Sequence, residues 1–274
     1  MGHSLSPQIH ERLFALSGEK VEYTLEDIAP EDLKEKFGFL SEFDGFNITI
    51  PHKLGIIEYC DELTEEARRY GSVNCVKNGA KKVGTNTDCI GFTKSIETLG
   101  ASLNSKVLQI GCGGVGRMIA IETALQGGEL TVAVLKSDMP LAEKVLSEIK
   151  ELAPSAKVKT VEIGEGGLSN ADLGDSGKNG FDLLINATPV GMFPKTNKMP
   201  CLPEVLDKVK FVFDVIYNPN ETLLTKTARE KGKKAMTGMA MLVLQAVAAH
   251  EIWDGAAYNK EDIDKLISDM EASV

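Results

Sequence analysis

The sequence predicts an α/β protein of two domains, one of them built on a doubly wound parallel sheet. Three observations carry this. Short apolar strands alternate with helical stretches from Lys106 to Ile216. A glycine-rich turn, Gly111-Cys112-Gly113-Gly114-Val115-Gly116, joins the first of these strands to a helix. After Gly238 the chain reads as helix only. Its 274 residues are long for one domain and ample for two. With 43% hydrophobic and 26% charged residues, the chain can furnish real cores and carries no mark of disorder.

Before the glycine turn, Ser6 to Phe92 mixes helix and strand signals. Pro7–Leu16 places apolar residues at helical spacing, with Ser6 as N-cap and Gly18 as the stop. Val21–Leu25 alternates with period two and reads as a strand. Gly45–Ile50 is a second strand, closed by Pro51, which has no N–H to give a ladder. Asn78-Gly79 between Val73–Val76 and Lys82–Gly84 marks a hairpin.

In the middle, Lys106–Ile110 leads into the glycine turn and a helix over Val115–Leu125, stopped at Gly127-Gly128. Leu130–Leu135 is a continuous apolar strand, as expected where helices cover both faces of a sheet. Lys157–Ile163, Phe181–Ala187 and Phe211–Ile216 supply three more, and the polar stretch Gly164–Gly180 reads as a surface excursion. The closing helices are Met239–Trp253 and Lys260–Met270.

Thirty basic residues against forty acidic ones leave a formal charge of −10, which opposes binding to nucleic acid or to an anionic membrane. No run of about 18 apolar residues spans a bilayer, and the first residues show no secretion signal. The five cysteines, Cys60, Cys75, Cys89, Cys112 and Cys201, are scattered and lack CxxC spacing. That pattern points to thiols in a reducing cytoplasm, with neither a disulfide framework nor a metal site.

Strand, glycine turn and helix together form a dinucleotide fingerprint. The first glycine allows the tight turn, the second lets the backbone approach a pyrophosphate, and the helix N-terminus offers unpaired N–H groups to the anion. A ligand-free strand–helix turn is the alternative. At the end of the second strand, Lys136 and Ser137 could hold a 2′-phosphate, whereas Asp138 could accept from a free ribose hydroxyl. NADP is favoured over NAD. Outside the fingerprint, Asn47 and Thr49 share one face of the Gly45–Ile50 strand, with Lys53 just beyond Pro51. Asn86 and Asp88 stand before another helix. A lysine and a carboxylate in one cleft suit proton transfer to a carbonyl that is being reduced by hydride.

The chain resembles the shikimate/quinate dehydrogenase family. Ser4-Leu5-Ser6-Pro7, Asn47–Lys53, Gly71-Ser72-Val73-Asn74, Gly84–Phe92, Gly111–Val115, Asn186–Met192, Asp214–Pro219 and Gly238–Gln245 are similar to that family's motifs, in its order. The resemblance implies a substrate domain over 1–92, a Rossmann-type NADP domain over 93–237, and C-terminal helices over 238–274 that return to the substrate domain, with a cleft between the two domains. It implies reversible, NADPH-dependent reduction of 3-dehydroshikimate to shikimate by a cytoplasmic enzyme, monomeric or homodimeric. Lys53 and Asp88 would be the catalytic pair. Ser4 and Ser6 would take the substrate carboxylate, with Thr49, Asn74, Tyr217 and Gln245 on its hydroxyls and ring. Gly111, Cys112, Gly113, Gly114, Val115, Lys136, Ser137, Thr188, Met192, Val215 and Gly238 would hold the cofactor, and Glu65 stands where the family has an acidic residue near it. No metal is implied.

The match has departures. The family has a strand and turn ahead of its SxSP segment, and here the chain starts almost at Ser4, so the substrate domain is expected to lack its first strand. Ser6, tied to the following helix, is expected to be fixed and Ser4 to be mobile. Leu135-Lys136-Ser137 keeps one cation but lacks the planar guanidinium of the family's Asn-Arg-Thr. The rival readings are an NAD-dependent quinate/shikimate dehydrogenase, a paralogue acting on another cyclic hydroxy acid, and a catalytically inactive nucleotide-binding paralogue.

Overall fold

The computed structural model describes residues 4–164 and 166–274. The chain divides into two compact units, residues 1–92 with 241–270, and residues 93–240 with 271–274.

The first unit opens with α1 (Ser6–Ser17), where Pro7 fits the first turn and Gly18 closes the helix in the left-handed region at φ 79°. Leu5 occupies the N-cap and no side chain caps the helix, so Ser6 is its first residue and not its cap. Val21–Leu25 forms no ladder among the described residues. The burial does not follow period two either, since Tyr23 turns inward while Val21 and Leu25, which a strand would put on the same face, stay exposed. A strand also needs a paired neighbour, and none is present.

There follow α2 (Leu33–Leu40), β1 (Gly45–Asn47), β2 (Glu62–Leu63), α3 (Glu65–Tyr70), β3 (Cys75–Lys77), β4 (Val83–Thr85) and α4 (Asp88–Leu99). The sheet order is β1-β3-β4-β2. The β3–β4 hairpin pairs Cys75 with Thr85 and Lys77 with Val83, and its loop carries Asn78-Gly79. β1 stops at Asn47, so Thr49 lies beyond the strand and is exposed, and it does not share a strand face with Asn47. Leu33, Leu40, Ile48, Ile56, Ala67, Val73 and Val76 form the core beneath. Each of these leucine, isoleucine and valine side chains contributes about 1.5–3 kcal/mol of burial.

In the second unit the alternation predicted from sequence is present: β5 (Lys106–Ile110), α5 (Gly114–Leu125), β6 (Glu129–Val134), α6 (Met139–Leu152) and β7 (Lys157–Glu162). Next come α7 (Asn170–Leu173), β8 (Phe181–Asn186), β9 (Val209–Asp214), α8 (Leu223–Glu230) and β10 (Lys234–Met236). The sheet is parallel throughout, in the order β10-β9-β8-β5-β6-β7. The chain moves outward from β5 to one edge and then returns to build the other, which puts the topological switch between β5 and β8. The Gly164–Gly180 stretch does more than wander over the surface. Ser169 and Asp172 close a capping box on α7, and Leu168 and Leu173 are buried in the core with Leu108, Leu184 and Val212. Two helices end the chain, α9 (Met239–Trp253) and α10 (Lys260–Glu271).

Candidate active site

In the first unit, Lys53 and Asp88 meet. Lys53 Nζ donates to Asp88 Oδ2 at 2.6 Å. Their side chains keep 23% and 18% exposure, so the pair is open to a ligand and is not sealed in the core. Local structure brings them there. Pro51 turns the chain after β1, and the Lys53 carbonyl accepts the Val73 N–H at 2.9 Å, tying the turn to the approach of β3. Asp88 opens α4, where the unpaired N–H groups of the first turn favour a carboxylate.

Asn74 bridges the site. The hairpin register sets it just before Cys75, facing Thr87 and Asp88 just after Thr85. Its Nδ2 donates to Asp88 Oδ1 at 2.9 Å and to Thr87 Oγ1 at 3.0 Å, and its Oδ1 accepts the Thr87 N–H at 2.6 Å. The Thr87 hydroxyl lies 3.3 Å from both Asn74 Oδ1 and Gln245 Oε1. It has one proton, and both amide oxygens are acceptors within its reach, so Thr87 links Asn74 to Gln245. Gln245 in turn donates to the Leu242 carbonyl at 2.9 Å. Asp88 therefore has one oxygen on Lys53 and the other on Asn74. An ammonium has three N–H donors, so Lys53 keeps two for a substrate oxygen.

Sequence reasoning singled out Lys53, Asp88, Asn74 and Gln245, and these converge. It missed Thr87, the node between Asn74 and Gln245, whose only local signal was its place among polar residues before a helix. Asn86 supports the same corner, donating to the Ser72 carbonyl at 3.0 Å and accepting the Cys89 N–H at 3.4 Å. Ser4, Ser6 and Thr49 make no hydrogen bond to this network among the described residues. At the start of α1 the Ser4 hydroxyl accepts the Ser6 N–H at 3.3 Å, so Ser4 too has a local anchor. Glu65 pairs with Arg69 one turn along α3 and is a solvated helix start.

The second unit carries the glycine turn. Gly111 has φ 91°, and a Cβ there would stand 2.6 Å from Thr188 Cγ2, so only glycine fits. At Gly116 a Cβ would meet the Gly111 carbonyl at 2.8 Å, which lets α5 pack close against its strand. Gln109 Nε2 donates to the Gly111 and Gly116 carbonyls, both at 2.8 Å, and fixes the turn from below. Between them Gly113 and Gly114 are exposed, with nothing within 4 Å of either Cβ position. An open, side-chain-free cradle at a helix N-terminus fits a pyrophosphate. Cys112 is buried, and its thiol is pushed up to about 11 by burial, against the opposing pull of Arg117. Val115 is half-buried.

Lys136 and Ser137 are exposed at the end of β6, with the Ser137 hydroxyl donating to Asp138 Oδ1 at 3.3 Å. Thr188 follows β8, beside the glycine turn, and donates through N–H and hydroxyl to Asn186 Oδ1 at 3.0 and 2.7 Å. Met192 is exposed on the same loop; Val215 and Tyr217 are half-buried after β9. A Cβ on Gly238 would press to 2.1 Å from the Val215 carbonyl, so glycine is required beside that segment. Among the described residues, no group of His, Cys, Asp and Glu could hold a metal ion, and no helix is long and apolar enough to cross a membrane.

A family model described as the shikimate dehydrogenase substrate binding domain matches residues 1–76. The chain is 36% identical to the shikimate dehydrogenase (NADP(+)) of Caldanaerobacter subterraneus subsp. tengcongensis, over 98% of this chain and 94% of that protein. The crystal structure of the Thermus thermophilus shikimate 5-dehydrogenase in complex with NADP(H) and shikimate superposes with TM-score 0.82 at 26% identity, covering 98% of this chain and 95% of the other. A ligand-free 5-ketofructose reductase of Gluconobacter superposes with TM-score 0.84 at 29% identity, over 98% and 94% of the two chains.

Proposed function

The chain belongs to the shikimate dehydrogenase family, and on that premise we propose how its residues carry the family's reaction. The activity is the reversible, NADP-dependent interconversion of 3-dehydroshikimate and shikimate, on the way to chorismate and the aromatic amino acids. When bound, NADPH supplies the hydride that the carbonyl carbon accepts. The pyrophosphate is assigned to the Gly111–Val115 turn, the 2′-phosphate to Lys136 and Ser137, and the nicotinamide side to Thr188, Met192, Val215 and Gly238.

Proton movement falls to the first unit. Lys53 Nζ gives a proton to the carbonyl oxygen as it becomes a hydroxyl, and it takes that proton back in the reverse direction. Asp88 orients the ammonium and stabilises its charge, and Asn74 fixes the carboxylate. Asn74, Thr49, Tyr217 and Gln245 are assigned to substrate hydroxyls and ring, with Ser4 and Ser6 on the carboxylate. Hydroxyl and amide groups recognise an anionic triol without burying further charge. A cytoplasmic monomer or homodimer completes the proposal, with sedimentation as its check.

The observation that carries this reading is the 2.6 Å Lys53–Asp88 pair with Asn74 on the far carboxylate oxygen. The test is Lys53→Ala, assayed with 3-dehydroshikimate and with 5-ketofructose, against NADPH and NADH. A fall in kcat of roughly 10²–10⁴-fold with little change in KM is expected. An unchanged kcat removes Lys53 from the chemistry, and a preference for 5-ketofructose overturns the substrate assignment.

A further inference from the structure

Gln109 is a fully buried polar side chain on β5, where its strand neighbours Val107, Leu108 and Ile110 are buried and apolar. The residues opposite it on β6 and β8, Val132 and Ile185, are buried and apolar too. An amide belongs in such surroundings only when it is hydrogen-bonded, and this one is bonded at one end alone. Both N–H groups of Nε2 are used, one on the Gly111 carbonyl and one on the Gly116 carbonyl, each at 2.8 Å. Oε1 is buried with no hydrogen-bond partner among the described residues. The amide cannot turn over, because its oxygen would then face two carbonyl oxygens.

What the amide holds is the mouth of the glycine turn. The sheet fixes the chain as far as the Gly111 N–H, which donates to the Ala133 carbonyl at 2.9 Å. The helix takes over where the Arg117 N–H meets the Gly113 carbonyl at 2.7 Å. Between these, the Gly111 carbonyl has Gln109 as its only hydrogen-bond donor among the described residues. The Gly111–Cys112 peptide is trans, so its C=O and N–H point in opposite directions. Drawing the Gly111 carbonyl toward Gln109 therefore turns the Cys112 N–H the other way, and that N–H donates to nothing among the described residues. The far end of the turn is shaped for the same clamp. A Cβ on Gly116 would stand 3.2 Å from Gln109 Nε2 and 2.8 Å from the Gly111 carbonyl.

We propose that Gln109 is a positioning residue, whose amide clamps Gly111 to Gly116 and so aims the Cys112 N–H at the pyrophosphate of NADP. This rests on the assignment of the Gly111–Val115 turn to the pyrophosphate. With glycine at 111, the peptide that follows can rotate at little cost. Without the clamp it is free to present its carbonyl oxygen to the phosphates, an acceptor against an anion. The orphaned Oε1 marks the same purpose from the other side, since an apolar side chain at 109 would suit the sheet better.

The test is Gln109→Met in the full-length protein, which keeps an unbranched side chain of similar size and removes both donors. The dissociation constant of NADP should rise about tenfold, the loss of one well-aimed charge-assisted bond. Adenosine 2′-monophosphate, which carries the adenine and the 2′-phosphate but no pyrophosphate, should bind the variant and the unmutated protein equally. The melting temperature without cofactor should not fall, because the thioether replaces a half-satisfied amide among apolar side chains. In the unmutated protein, NADP should slow amide exchange at Cys112, and adenosine 2′-monophosphate should not. Unchanged NADP affinity in the variant overturns the proposal. Equal losses for both nucleotides together with a lower melting temperature, or a variant that fails to fold, make Gln109 a structural residue and overturn it as well. NADP binding that leaves Cys112 unprotected in the unmutated protein overturns the assignment of the turn to the pyrophosphate, and the proposal with it.

Discussion

Acidification should weaken the first unit through two buried histidines. His10 on α1 and His250 on α9 are both fully buried, with His10 Nδ1 2.9 Å from His250 Nε2 and the Tyr258 hydroxyl 2.7 Å from His250 Nδ1. Burial, reinforced by His250, lowers His10 from 6.5 to about 3; burial lowers His250 to about 4, against the opposing pull of Asp254. Tyr23, stacked on His10 at 4.1 Å, is itself raised by burial and supplies no charge to rescue the imidazolium. The folded state keeps both rings neutral while the unfolded chain protonates them below 6.5. Their contribution to stability is therefore whole above 6.5 and is lost as pH falls toward the folded values. At pH 5, 6.5 − 5 = 1.5 units at about 1.4 kcal/mol each give about 2 kcal/mol per ring, and about 4 kcal/mol for the pair. Trp253 is the sole tryptophan, lies 5.5 Å from the His10 ring and 5.6 Å from the His250 ring, and donates to the Val76 carbonyl. Its fluorescence during urea unfolding at pH 7 and pH 5 reads this unit. His10→Phe keeps a ring against Tyr23 and should roughly halve the loss. A Trp253 transition equally stable at both pH values, or a His10→Phe variant with the full slope, would refute the argument.

Other outcomes can be checked alongside. Asp214 has the opposite sign: its folded value of about 6 lies above the usual 3.8, so its burial penalty is relieved as pH falls from about 6 toward 4, and Asp214→Asn should flatten a gain of about 2 kcal/mol in the second unit's stability, measured by hydrogen exchange in β8 and β9. Asp88→Asn should lower kcat with the same pattern as Lys53→Ala, since it loosens the ammonium, and steady-state kinetics will show whether KM moves instead. Lys136→Ala should weaken NADPH by roughly 1.5–3 kcal/mol and leave NADH nearly untouched in a binding titration; equal losses would remove Lys136 from the phosphate. Gly111→Ala, forced against Thr188 at φ 91°, should destabilise by about 1–3 kcal/mol in thermal melts and abolish tight NADP binding.

Much of the fold was legible because long periodic segments decide their own structure. β5 and α9 lie where apolar spacing and flanking glycines place them, Lys106–Ile110 and Met239–Trp253. Where a segment depends on a distant partner, the signal fails. Val21–Leu25 alternates like a strand yet finds no ladder. β2 (Glu62–Leu63), α7 (Asn170–Leu173) and β10 (Lys234–Met236) are too short for periodicity to show, and tertiary pairing alone makes them. β1 ends at Asn47 and not at Ile50, because the turn that delivers Lys53 begins before the proline does.

The site divides along the same line. Lys53 and Asp88 sit in local patterns that name their chemistry, but their meeting depends on register. Pairing Cys75 with Thr85 sets Asn74 against Thr87 and Asp88; a slip of one residue would turn Asn74 to the other face and break its bonds together. No window of sequence contains that fact. His10 and His250 are 240 positions apart, and Asn186 and Asp214 are 28 apart. A histidine or aspartate destined for burial looks, locally, like one destined for water. What separates them is the packing around them, and packing also gives them their power. The same carboxylate that in water would accept from any donor is confined, inside the sheet, to the three donors that the fold presents, Asn186, Ile216 and Thr222.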